Sequence, residues 1–246
     1  MVTAVLLFLL DFVLPDTKGS HLFRQGITSL SVLPFLYSFY RQDSFWRGEP
    51  LGKKEFLLTK REAGTVFLLF LAGGCFALAW NNVLSMVHIS DYSVSYNRIR
   101  ETFYVGKFFM EFCVVCLLAP MAEELLYRGI VYKRAKDWLG IWPGIIVSAV
   151  MFGLVHMNLV QFVYAGVFGI FLGLFVEKTG KLHSAIAAHA AANLTSLLRG
   201  ETELFSFMDK SLPVMVIMTA LLFLLAAGLV FGALHFLSKG GRDYIL

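Results

Sequence analysis

Charge is scarce in this chain. Lys, Arg, Asp and Glu make up 15% of its 246 residues, whereas hydrophobic residues make up 58%; an average soluble domain carries about 25% charged residues. That shortage excludes a disordered chain and an ordinary soluble enzyme. The net charge of +4 is too small an excess to select nucleic acid or another polyanion. Cysteine is short as well. Cys75, Cys113 and Cys116 cannot build a disulfide framework, and all three sit in apolar runs. Cys113 and Cys116 have the spacing of a redox or metal pair, but in such a run they read first as small side chains facing lipid or a neighbouring helix. No Lys or Arg precedes the apolar start, and Asp11 interrupts it. Residues 1–15 therefore read as a first, short membrane helix and not as a secretory signal. Period-two alternation is absent, which excludes a β-barrel. No repeat, low-complexity tract or soluble domain stands out, since the longest connection is about 22 residues.

What is present is a series of apolar runs. A helix needs about 20 mostly apolar residues to cross the hydrocarbon core. The segments are 1–15, 27–40, 63–88, 104–132, 141–157, 160–177, 183–199 and 213–238. They predict an all-α, polytopic integral membrane protein of about eight transmembrane helices, because unpaired strands cannot cross lipid. The whole of 1–246 reads as one transmembrane domain. Pro34 and Pro120 lie inside segments and should kink them. If eight spans alternate, 13 Lys and Arg fall on one side, six of them in 41–62, and 7 fall on the other. The positive-inside rule then puts both termini in the cytoplasm.

An ionisable side chain at the bilayer centre costs about 2.5–3.5 kcal/mol, and one Leu returns only about 0.3–0.6 kcal/mol. The polar residues inside the runs therefore need a reason. They concentrate in three places: Glu123, Glu124 and Arg128; Phe152 and His156; His189 and Asn193. Glu124 and Arg128 are four apart, on one helix face, and can pair. Glu123 is rotated about 100° away and has no cation at i+3 or i+4, so it is the carboxylate left free. His189 and Asn193 share a face, and the three alanines between them let a neighbour approach closely. Phe152 lies one turn from His156 and would wall one side. Three helices can thus bring a carboxylate, two imidazoles and an amide to one point. A poorly hydrated carboxylate is a strong base, imidazoles hold water or stabilise charge, and an Asn N–H can donate to an oxyanion. The implied chemistry is hydrolysis of an amide bond.

Each motif alone has a plainer reading. The acidic pair with Arg128 serves equally as an ion network fixing helix packing. His156 near a helix end serves as an interfacial histidine, and His189 with Asn193 as interhelical glue. Their joint occurrence, in order, favours the site. Depth is a difficulty: simple alternation puts Glu123 and His189 within two or three turns of the cytoplasmic side and His156 near the opposite end of its segment. They meet only if helices tilt or kink, or if 141–160 enters from an extended start.

The set Glu123-Glu124…Arg128, Phe152…His156 and His189…Asn193 resembles the Abi/CPBP family of intramembrane proteases, which includes type II CAAX prenyl proteases and bacteriocin-processing or self-immunity proteins. The motifs occupy 123–193, within a core of about 104–199. The resemblance implies about eight helices around a polar intramembrane cavity in a membrane protein, here placed in the bacterial plasma membrane. It implies Glu123 as general base, His156 and His189 as its partners, Asn193 as oxyanion donor, and Glu124 and Arg128 as supporting residues. The expected partners are membrane lipid and a membrane-embedded or lipidated peptide, CAAX-like or leader-like, and no nucleic acid. Metal dependence stays open. Glu123, His156 and His189 make a familiar zinc-ligand set; yet His-Glu-x-x-His is absent, and if Glu123 held zinc the base would have to be Glu124, which Arg128 occupies. The balance favours water activated by glutamate. The alternative function is a non-catalytic membrane protein for bacteriocin immunity, binding or transport.

Overall fold

A computed structural model describes residues 18–49, 57–89 and 108–238. Every regular element among them is helical. Seven helices follow in order: α1 (Lys18–Trp46), α2 (Lys60–Met86), α3 (108–139), α4 (Ile141–Leu154), α5 (Leu159–Thr179), α6 (Leu182–Glu201) and α7 (Leu212–Ser238). A short 3₁₀ turn, Ser206–Lys210, precedes α7. Of these, α2, α5 and α7 are long and apolar enough to cross a membrane; α4 is apolar but shorter. The predicted segment 1–15 lies outside the described residues, and an eightfold count of spans is not reached among them.

Helix ends depart from the apolar segments because caps, not hydropathy, set them: α3 and α6 run past theirs, while α2 stops at Met86 and α4 at Leu154, short of theirs. Thr59 and Glu62 form a reciprocal capping box that starts α2, with the Glu62 N–H donating to Thr59 Oγ1 (3.2 Å) and the Thr59 N–H to Glu62 Oε2 (2.8 Å). Asn158 starts α5 by accepting from the Gln161 N–H at 2.9 Å. Gly180, in the left-handed region at φ 66°, ends α5. α3 continues seven residues past the predicted end at 132, through Lys-Arg-Ala-Lys-Asp-Trp-Leu, and stops at Gly140 (φ 89°). The charged stretch 133–140, predicted as a connection, is thus mostly the last turns of α3. Likewise residues 41–46 belong to α1.

Small residues set the closest packing. A Cβ on Gly73 would lie 2.4 Å from the Ala188 carbonyl oxygen, so α2 and α6 meet backbone to backbone. The core beside this contact is Leu69, Phe76, Phe168, Leu172, Ala188 and Ala192. α3 is not a uniform α-helix. Its stretches Phe112–Leu118 and Leu125–Val131 are π-helical, flanking the α-helical turn Ala119–Glu124. In the first, the Ala119 N–H reaches the Val114 carbonyl, five residues back. Such π segments recur at functional sites.

Candidate active site

The two glutamates sit at the end of the α-helical turn between the π segments. Glu124 is fully buried, and so is Arg128. Arg128 Nη1 donates to Glu124 Oε1 at 3.0 Å, and Nη2 donates to the Gly169 carbonyl of α5 at 3.0 Å. The pair expected from the four-residue spacing therefore forms. The guanidinium carbon also stands 4.5 Å from the centre of the Phe152 ring, a cation–π contact in a dry setting.

His189 of α6 approaches both carboxylates. Its Nδ1 lies 2.8 Å from Glu124 Oε1. A carboxylate held by a guanidinium can only accept, so Nδ1 carries the hydrogen. The other ring nitrogen, Nε2, then faces Glu123 Oε2 at 3.7 Å, beyond direct hydrogen-bond length and within reach of one bridging water. The Glu123 side chain is 34% exposed, whereas that of Glu124 is 0% exposed. Glu123 is the accessible acid of the pair.

His156 follows the end of α4. Its Nδ1 lies 2.9 Å from the Phe152 carbonyl. That carbonyl only accepts, so Nδ1 again carries a hydrogen. Phe152 packs on both imidazoles: its ring centre is 5.4 Å from that of His156 and 5.5 Å from that of His189, edge-on to both. The aromatic wall is thus shared by the two histidines. Tyr127 packs on Phe152 at 5.2 Å, and Phe168 lies 6.1 Å from His189. Neither was singled out from sequence, because a lone aromatic in an apolar run carries no signal of its own.

The depth difficulty disappears with the true end of α3. Counted from the Gly140 turn that joins α3 to α4, Glu123 lies about 26 Å along one helix and Phe152 about 18 Å along the other, at 1.5 Å per residue. Two antiparallel helices joined by one residue therefore carry the acid and the α4 motif toward the same end of the hairpin. The expected two or three turns from that end was too short, because α3 runs on past 132.

Asn193, one turn beyond His189, makes a contact that spacing did not reveal. Its Nδ2 donates to the Val115 carbonyl of α3 at 2.8 Å. As for a metal, no three His, Cys, Asp or Glu side chains among the described residues are grouped to hold an ion. Glu123, His156 and His189 are not grouped as such a three-ligand set. The three cysteines are free thiols, Cys116 buried in the first π segment. Far from this centre, Arg199 links buried Asn82 (2.5 Å) to Asp209 (2.6 Å), tying α2, α6 and the 3₁₀ turn together.

Fold and site define a helical membrane protein with a buried carboxylate–imidazole centre. The family model described as type II CAAX prenyl endopeptidase Rce1-like matches residues 105–195, well under half of the chain but all of its three motifs. This agrees with the resemblance to Abi/CPBP proteases and supports a protease kind of enzyme. No curated protein and no solved structure matches the chain.

Proposed function

We propose that the protein is an intramembrane endopeptidase that hydrolyses a peptide bond in a membrane-embedded or lipidated, CAAX-like peptide. The observation that carries this reading is the division of labour between the two glutamates. Glu124 is locked between Arg128 and His189, while Glu123 is accessible and stands 3.7 Å from His189 Nε2.

In this mechanism a water between Glu123 and His189 Nε2 gives a proton to the Glu123 carboxylate as its oxygen attacks the scissile carbonyl carbon. The carbonyl oxygen becomes an oxyanion. Asn193 has a second amide hydrogen besides the one on Val115, and that hydrogen serves as the oxyanion donor. The C–N bond then breaks, and the proton held by Glu123 passes to the leaving amine. His189 is kept in one tautomer by Glu124, and His156 by the Phe152 carbonyl, so both present Nε2 without rearrangement. Phe152 and Tyr127 exclude bulk water from the far side. Support for a lipidated substrate comes from an apolar groove of about 410 Å³, bordered by Leu33 and Tyr37 of α1, Met121 and Leu125 of α3, and Ile186 of α6. Its volume lies within the range of small-ligand sites. Met121 is two residues from Glu123, and Ile186 is one turn before His189.

The test is cleavage of a farnesylated CAAX peptide by the purified protein in liposomes. Glu123→Gln is expected to lower kcat by about 100-fold or more, the usual worth of a general base. Cleavage at the wild-type rate by that variant would remove the proposal and leave the binding or transport alternative. A parallel assay with chelator reports whether an ion takes part.

A further inference from the structure

Pro120 and Val115 lie outside the carboxylate–imidazole centre, yet they meet it through Asn193. In the first π segment of α3 each N–H reaches five residues back, as the Ala119 N–H does to the Val114 carbonyl. The next bond in that register would run from residue 120 to the carbonyl of Val115. Residue 120 is proline and has no N–H to give. The Val115 carbonyl is thereby left open to a donor from outside the helix, and Asn193 Nδ2 supplies it at 2.8 Å. Pro120 is among the fully buried side chains, so its neighbours are protein.

We propose that Pro120 is a positioning residue for Asn193: by withholding a backbone hydrogen, it keeps the Val115 carbonyl open as the anchor of the Asn193 amide. The two N–H bonds of a planar amide diverge at a fixed angle. Anchoring one of them on Val115 fixes the direction of the other, which is the oxyanion donor of the proposed reaction. The inference rests on that reaction. It also gives the proline a role beyond bending the helix, and it explains why the π register lies directly before the catalytic turn.

The experiment is Pro120→Ala, assayed on the farnesylated peptide in liposomes with kcat and KM resolved. An alanine at 120 carries an N–H. If the π register persists, that N–H closes on Val115; if the turn tightens to α, the Ala119 N–H does so. Either way the anchor is filled and Asn193 is released. The expected result is a fall in kcat of about tenfold, part of the 10²–10³ that an oxyanion donor supplies, with KM and the detergent melting temperature unchanged. In the Asn193→Ala background, which already lacks the amide, Pro120→Ala should cost less than about twofold more. Wild-type kcat for Pro120→Ala, or a full tenfold loss on top of Asn193→Ala, overturns the inference. Pro120→Val restores the N–H at nearly the same volume and guards against a packing defect. Failure of both variants to fold would assign the proline to the fold and also overturn it. Failure of the reaction itself is separate: it shows as retained cleavage by Glu123→Gln, whereas loss there with normal Pro120→Ala refutes only the anchor.

Discussion

Glu124 Oε1 accepts from two donors at once, Arg128 Nη1 and His189 Nδ1. A buried carboxylate in that position is stable only while its cation is present. Arg128→Met should therefore destabilise the protein by about 3–5 kcal/mol, the cost of stranding a buried charge. The double variant Arg128→Met/Glu124→Gln should recover part of that loss, since no bare charge remains; thermal melting in detergent measures both. A double variant as unstable as the single would mean that Arg128 acts through packing on Phe152. At this scale the sequence was informative within a helix and silent between helices. The four-residue spacing gave the Glu124–Arg128 pair and singled out Glu123. It could not give the bond from His189 to Glu124, which depends on the crossing of α3 and α6. Nor could it give the Asn193–Val115 bond, because a π register leaves no periodic mark in the residues.

At the scale of elements, the approach of α2 to α6 fixes where His189 sits. Gly73 faces the carbonyl of Ala188, the residue just before that histidine. Gly73→Ala must push the two backbones apart, and overpacking of this kind costs about 1–3 kcal/mol. Gly232→Ala in α7 is the matched comparison: a Cβ there meets nothing within 4 Å, and helix propensity alone makes the change neutral or stabilising by up to about 1 kcal/mol. Melting of the two variants, with peptide cleavage, should show stability and activity falling together for Gly73→Ala and neither falling for Gly232→Ala. Equal melting would mean that α2 and α6 are not held by that contact. Helix existence was legible from apolar runs throughout the described residues. Helix ends were not, because Gly140, Gly180 and the Thr59–Glu62 box set them by backbone conformation and hydrogen bonding.

At the scale of the whole molecule, one layer of the structure is lipid. α7 has a mean hydropathy of 2.8 over an 18-residue stretch, yet little of that stretch is covered by protein, and Leu224 and Phe231 are more than two-thirds exposed. Leu224 is near the middle of that helix. Leu224→Arg should cost about 2.5–3.5 kcal/mol of insertion and lower the membrane-inserted fraction, while Leu224→Ile should leave it unchanged; alkali extraction of membranes distinguishes the two. Indifference to the arginine would show that this face meets water or protein. Trp138 and Trp142, on either side of the Gly140 turn, are 89% and 61% exposed, as expected of anchors at an interface. Trp80, inside α2, is instead half-buried and stacked on Phe76. Composition and apolar runs revealed a helical membrane protein, but not how many crossings it makes.

The brevity of α4 reaches beyond the protein. Its 14 residues span about 21 Å, against about 30 Å of hydrocarbon. Acyl chains against its exposed face, Ile146, Val150 and Leu154, would have too little rod to cover, and a leaflet that thinned on that flank would draw headgroups toward the bend that carries His156 and Asn158. Hydrolysis would then take place at the floor of a dimple, with moisture arriving along the lipid rather than through a pore in the helices.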